Sequence, residues 1–174
     1  MPGKLEYNKV YFRALEPDDV NWLYECENDI DVWEVSNSRL PFSKHLLKKY
    51  IENAQTDIYT HGQIRFVICN KSKERVGIAD MFDFDMFNKR AGIGIMISSK
   101  FRNKYYGSDS IELLKIYGKK HLQIHQVYCN IGENNTKSIS LFEKAGFIKT
   151  GIKKDWQKTI TSFQDEYIYQ YIFD

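Results

Sequence analysis

The stretch that decides the fold runs from Ala91 to His121 as AGIGIMISSKFRNKYYGSDSIELLKIYGKKH, followed by QVYCNIGENNTKSISLFEKAGF over Gln126–Phe147. Apolar runs alternate in it with segments whose apolar residues recur at helical spacing. The pattern predicts strand, helix, strand and helix in that order: Arg90–Ser98, Gly107–Leu122, Gln126–Ile131 and Asn135–Ala145. Gly146 ends the last of these helices.

The same reading extends to the rest of the chain. Five more strands are predicted, at Lys9–Leu15, Gln63–Asn70, Arg75–Asp85, Ile148–Trp156 and Glu166–Phe173. Two more helices are predicted, one that begins at Glu16 and one that runs from Ser43 to about Asn53. The order β-α-α-β-β-β-α-β-α-β-β predicts an α/β protein with a mixed sheet and helices on its faces. We expect one domain over residues 1–174.

Composition excludes several classes of protein. No apolar run approaches the roughly 18–20 residues of a spanning helix, so no membrane association is expected. A net charge of +2 with scattered basic residues gives no nucleic-acid surface. The three cysteines are widely spaced and have no histidine at metal-ligand spacing, which predicts buried thiols in a cytoplasmic protein and no metal site.

The turn after the strand Arg90–Ser98 carries the main functional signal. A strand that turns into a helix leaves several N–H groups unpaired at the helix start. Arg102 and Lys104 add positive charge there, so the segment Arg102–Ser108 could bind a pyrophosphate. The alternative is a basic surface turn in which Gly107 merely relieves backbone strain.

Two motifs in this stretch resemble the GNAT superfamily of acetyl-CoA-dependent N-acetyltransferases. The first, Arg/Gln-x-x-Gly-x-Gly/Ala between a strand and a helix, stands here as RNKYYG over Arg102–Gly107. The second combines Asn135, Ser138 and Phe142 with Lys144-Ala145-Gly146-Phe147. The branch most similar holds bacterial spermidine acetyltransferases and ribosomal-protein N-terminal acetyltransferases. The resemblance implies the GNAT acyl-CoA N-acyltransferase fold.

The resemblance also implies where acetyl-CoA, the acetyl donor and co-substrate, would bind. Pantetheine would pair with the strand Gly94–Ile97, and the backbone N–H of Met96 or Ile97 would stabilise the oxyanion. We expect Asn135 both to cap its helix and to help to place the pantetheine arm or the acceptor; the alternative is a helix N-cap alone. The expected cofactor-binding residues are Ile95, Met96, Ile97, Arg102, Asn103, Lys104, Tyr105, Tyr106, Gly107, Ser108, Asn135, Ser138 and Phe142.

Three residues depart from the family pattern. Phe142 stands where many members have a tyrosine that protonates the leaving thiolate, and Gly92 stands where relatives often have a glutamate base. Tyr105 replaces the first glycine of the phosphate motif. Its side chain requires either a negative φ or an outward orientation of the ring.

The acceptor is expected to be a primary amine, and a positively charged, polyamine-like one is slightly preferred over a neutral amino sugar. The sequence leaves a polyamine, an amino sugar, an antibiotic, an amino acid and a protein N-terminus open. Asp83 is the candidate base, and Glu34, Asp80 and Asp83 are the candidate acceptor-binding acids. Asp80 and Asp83 differ in strand parity, so they should point to opposite faces. The acidic segment Glu25–Glu34 could attract a cation or could be an ordinary solvated helix end.

Two rival functions remain open on the sequence. The departures at Phe142, Gly92 and Tyr105 would suit a catalytically weak or silent acyl-CoA-binding module. A structural or interaction protein would bind no coenzyme A. The aromatic end Tyr167–Phe173 would suit contact between copies in a homodimer or higher homo-oligomer.

Overall fold

The computed structural model describes residues 5–30, 33, 40–54 and 58–174. Its eight strands form a single sheet in the order β1-β2-β3-β4-β5-β6-β8-β7. The strands are β1 Glu6–Tyr7, β2 Val10–Arg13, β3 Ile64–Asn70, β4 Arg75–Asp85, β5 Arg90–Ile97, β6 Gln126–Gly132, β7 Ile148–Lys158 and β8 Phe163–Ile172. Neighbouring strands are antiparallel except β5 and β6, so the sheet is mixed as predicted.

Helices pack on both faces of this sheet. They are α1 Val20–Glu27, α2 Lys44–Asn53, α3 Ile58–His61, α4 Tyr106–Tyr117 and α5 Thr136–Lys144. One core cluster joins α4 and α5 to the sheet through residues such as Ile111 and Phe142. A second cluster on the opposite face contains Leu23 of α1 and Leu47 of α2. Because central strands are covered on both faces, β3 is apolar along most of its length.

The predicted elements agree with the structure except in short segments. The two-residue strand β1 and the four-residue helix α3 were not predicted, because segments so short carry no periodicity. The predicted helix Gly107–Leu122 begins one residue earlier and ends as an α-helix at Tyr117. A π-helical turn then covers Gly118–Leu122. No helix among the described residues is long and apolar enough to cross a membrane.

Asp19 anchors the start of α1 to the sheet. Its side chain is fully buried and accepts hydrogen bonds from Arg13 and the Glu16 amide, and it pairs with Arg75. Burial alone would raise the pKa of Asp19, but these partners outweigh it and hold the pKa below its usual value.

Candidate active site

A cleft opens where β5 and β6 part. The two strands pair over only three residue pairs, from Arg90↔Gln126 to Gly92↔Tyr128. Beyond that point β5 continues to Ile97 and β6 to Gly132 without pairing to each other. Because the strands are parallel, the helices that follow them, α4 and α5, both begin at the mouth of this cleft.

The backbone of β5 presents alternate amides to the cleft. The Ser98 N–H donates to the Val76 carbonyl oxygen on β4 at 3.0 Å. Met96 precedes Ser98 by two residues and stands opposite Ile78 of β4. In an antiparallel ladder this parity directs the Met96 amide towards β4 and the Ile95 and Ile97 amides to the open edge. The Met96 N–H is therefore engaged within the sheet. This corrects the prediction for Met96 as an oxyanion donor and leaves Ile97.

The phosphate-motif turn lies at the end of β5. Among the described residues, no backbone acceptor takes the amides of Asn103 to Ser108, the last three of which lie in the first turn of α4. Arg102 is exposed, and its Nε donates to the Ile97 carbonyl at 3.1 Å. Lys104 is also exposed and lies 5.5 Å from the Phe101 ring centre. Unpaired amides beside two cations are the donor set that a pyrophosphate requires.

Tyr105 takes the outward orientation. Its φ is +70°, in the left-handed region, and its side chain is 72% exposed. Of the two predicted alternatives, the negative φ is therefore wrong and the outward orientation of the ring is confirmed. Lys9 Nζ lies 4.9 Å from the centre of this ring, which places a further cation beside the turn.

Gly107 has a packing reason to lack a side chain. A Cβ at this position would lie 3.1 Å from Leu141 Cδ2 of α5 and 3.5 Å from Ile95 Cδ1 of β5. The first turn of α4 therefore packs closely against both walls of the cleft. Because Gly107 has no side chain, the amides of this turn can lie close to the open edge of β5.

On the other side of the cleft, Asn135 caps α5. Its Oδ1 accepts a hydrogen bond from the Ser138 N–H at 3.2 Å, which confirms the predicted capping role. Phe142 is only 3% exposed, and its ring meets Phe147 edge to face at 5.1 Å. The phenyl ring of Phe142 is packed in the core and offers no proton.

The acids predicted to bind the acceptor have different surroundings. Asp80 accepts two hydrogen bonds from Arg65, at 2.6 and 2.9 Å, and Arg65 also donates to Glu27. Burial alone would lower the pKa of Arg65, but Asp80, with contributions from Tyr50 and Glu27, outweighs it and raises the pKa. Asp80 is therefore part of an ion-pair cluster. Glu34 lies outside the described residues.

Asp83 reaches the same face as Asp80, contrary to the parity argument. The register of β4 against β5 shifts between Phe82 and Asp85, and Asp83 has a φ of +47°. This bulge places two successive side chains on one face. Phe84, the next residue, accordingly packs into the cluster on the opposite face.

The Tyr128 hydroxyl donates to Asp83 Oδ2 at 3.2 Å. Tyr128 stands beside Gly92, at the last pairing before the strands part, and its ring meets Phe82 edge to face at 6.2 Å. A 460 Å³ cavity is lined by this tyrosine together with Asp83, Arg90 and Gln170. A separate 240 Å³ cavity lies over Arg65 and Asp80.

The comparisons with known proteins decide the family. Residues 9–148 match the model of the acetyltransferase (GNAT) domain, which is most of the chain. The chain belongs to this family. The resemblance given by the two motifs is thereby confirmed, and the GNAT protein is an N-acetyltransferase that uses acetyl-CoA.

Individual relatives of this GNAT enzyme are distant. It is 21% identical to spermidine N(1)-acetyltransferase of Vibrio cholerae, over 83% of this chain and 82% of the relative. It is 25% identical to the uncharacterized N-acetyltransferase p20 of Bacillus licheniformis, over 92% and 91% of the two chains. The crystal structure of the Vibrio cholerae spermidine N-acetyltransferase with CoA and spermine superposes with a TM-score of 0.86 at 20% identity, covering 94% of this chain and 95% of that one.

Sequence reasoning missed three residues of the GNAT site. Lys9 lies about a hundred residues before the turn it approaches, and nothing in its local sequence indicates that contact. The sequence pattern places Arg65 only within a strand, and its position opposite Asp80 follows once β3 and β4 are paired. Tyr128 had a detectable signal, since Gln126, Tyr128 and Asn130 alternate with buried apolar residues along β6.

Proposed function

We propose that this acetyltransferase transfers the acetyl group to a primary amine by direct attack in a ternary complex, with the whole chain acting as one catalytic domain. The observation that carries the proposal is the cleft between β5 and β6, with its open edge at Ile95 and Ile97. The thioester carbonyl of bound acetyl-CoA supplies the electrophile. The chain supplies positioning and hydrogen-bond donors.

The donor would be held along β5 and at the adjoining turn. The Asn103–Ser108 amides, with Arg102 and Lys104, fit a pyrophosphate, and Tyr105 contributes through its backbone. The open edge at Ile95 and Ile97 can pair with an extended amide-bearing chain as a further strand would. Of the two oxyanion candidates, Ile97 keeps its N–H available for the thioester oxygen.

The acceptor would be a positively charged amine. Glu27 and Asp80 surround the single guanidinium of Arg65, so that cluster carries one net negative charge. Among the described residues that line the second cavity, Asp83 and Asp85 accompany one cation, Arg90, which gives a second cluster of the same net charge. Both cavities on this face therefore favour a cation. The spermidine acetyltransferases among the relatives are consistent with a polyamine-like substrate.

A second candidate is a silent acyl-CoA-binding module. Phe142 favours it, because a buried phenyl ring cannot protonate the leaving thiolate. We prefer catalysis, since a thiol of pKa about 8.5 leaves tolerably as its anion. A cytoplasmic location and assembly of several copies through Tyr167–Phe173 remain predictions.

The test is thiol release from acetyl-CoA with spermidine, an amino sugar and an amino acid as acceptors, alongside a thermal shift with acetyl-CoA alone. We expect a rise in the melting temperature and turnover that is fastest with spermidine. A thermal shift with no turnover on any amine would favour the silent module. Turnover of the amino acid alone would refute the preference for a cation.

A further inference from the structure

A row of three residues crosses the sheet at Gly92, beside the hydrogen bond between Tyr128 and Asp83. Phe82 on β4, Gly92 on β5 and Tyr128 on β6 stand side by side. A Cβ on Gly92 would lie 2.3 Å from the Phe82 ring, so this ring occupies the space that a side chain on β5 would take. A side chain at this position of β5 is therefore replaced here by an aromatic contact.

The adjacent pair of Tyr128 and Asp83 offers what the missing side chain would have supplied. The Tyr128 hydroxyl donates to Asp83, and Asp83 is exposed to solvent. The bulge in β4 holds Asp83 on the face of the sheet from which the Tyr128 side chain emerges. The pair thus connects the apex of the cleft to bulk water.

We propose that Tyr128 is a catalytic residue that takes the extra proton of the acceptor's ammonium group in the cavity beside Gly92, before the amine moves along β5 to the thioester, and passes its own hydroxyl proton to Asp83. This inference rests on the proposed function. Asp83 then gives that proton to solvent, and the neutral amine forms the C–N bond as the C–S bond breaks. The second proton of the nitrogen goes to the departing thiolate sulfur, so the products are an amide, a free thiol and one proton.

The charges around Tyr128 are consistent with this role. Burial raises the pKa of Tyr128, and Asp83 raises it further, while Arg90 on β5 acts in the opposite direction. Gln126 on β6 and Gln170 on β8, which line the same cavity, are neutral. Tyr128 therefore stays protonated at neutral pH and can act only as a relay whose acceptor is Asp83.

The first experiment measures kcat and KM for acetyl-CoA with the acceptor that turns over best among spermidine, an amino sugar and an amino acid. Tyr128→Phe should lower kcat by about 10²-fold and leave KM for acetyl-CoA unchanged. Asp83→Asn should lower kcat comparably, and the double variant should be no slower than the worse single variant. Tyr117→Phe is the matched control, since this half-buried tyrosine packs on the other face of the sheet.

A second readout is independent of turnover. Ultraviolet titration of the phenols, as the difference between wild type and Tyr128→Phe, gives the pKa of Tyr128, which Asp83→Asn should lower. Wild-type kcat in Tyr128→Phe, or an unchanged Tyr128 pKa in Asp83→Asn, would overturn the inference. If Tyr128→Phe does not fold, the kcat of Asp83→Asn, a substitution at an exposed position, tests the inference. Wild type that binds acetyl-CoA but turns over no amine would instead remove the proposed function, and this inference with it.

Discussion

Replacing Gly92 by alanine should destabilise the fold, because the structure leaves no room for a methyl group. An ideal Cβ there lies 2.3, 2.6 and 2.8 Å from three carbons of the Phe82 ring. Ordinary contact begins near 3.4 Å, so the ring must shift by about 1 Å. Phe82 is half-buried and can move outwards, but only by weakening its edge-to-face contact with Tyr128.

Three effects set the size of the change. Overpacking costs about 1–3 kcal/mol, and loss of the aromatic contact costs about 0.5–1.5 kcal/mol. Removing the flexibility of glycine in the unfolded chain returns about 0.4–1 kcal/mol. The net loss should be about 0.5–4 kcal/mol, which corresponds to a fall of about 1–16 °C in melting temperature for a chain of this size.

Gly94→Ala is the matched control on the same strand and face. Its Cβ would meet only Phe82 Cε1, at 3.8 Å, which is ordinary contact. That variant should be neutral or more stable by about 0.5 kcal/mol. Urea and thermal unfolding of both variants without ligand make the comparison. Equal effects of the two substitutions would refute the close packing of Phe82 over Gly92.

Three further predictions follow from the site and its supports. Arg102→Ala should weaken acetyl-CoA binding about 10–100-fold in calorimetry, because a charge-assisted hydrogen bond is lost, and Lys104→Ala should weaken it less. If both variants bind acetyl-CoA as tightly as wild type, the phosphate site does not lie at this turn. Asp19→Asn should cost about 1–3 kcal/mol at neutral pH, because its arginine partners are left without their carboxylate but remain partly exposed. Folding lowers the pKa of Asp19, so the contribution of its carboxylate to the free energy of unfolding is present above about pH 4 and is lost as pH falls through the lowered pKa. Denaturant titrations of wild type and Asp19→Asn should therefore converge in acid. Phe142→Tyr should cost on the order of 1 kcal/mol and either raise kcat, by up to about 10²-fold, or leave it unchanged, whereas a large loss with acetyl-CoA binding intact would show that this ring does not face the thioester.

Local signals predicted the strands and long helices because each has its own periodicity. The apolar run Arg90–Ser98 and the cap at Asn135 needed no tertiary information. The face of Asp83 could not be predicted in this way, because a one-residue bulge reverses the alternation that the argument assumed.

The candidate site shows the same division between local and non-local information. The motif residues Arg102–Ser108 are contiguous, so their unpaired amides could be foreseen. The choice between Met96 and Ile97 depended on which neighbour each amide faces, which requires the pairing of β4 with β5. The contacts of Lys9 and Tyr128 with distant parts of the chain likewise exist only in the assembled sheet.

Amide hydrogen exchange of β5 tests the central claim that acetyl-CoA binds along the open edge of this strand. In the free protein the Ile95 and Ile97 amides should exchange fast, and the Met96 amide should be protected by β4. Saturating acetyl-CoA should slow exchange at Ile95 and Ile97 and leave Met96 as it was. Fast exchange at Ile95 and Ile97 under saturation, or protection there before any ligand is added, would contradict the account.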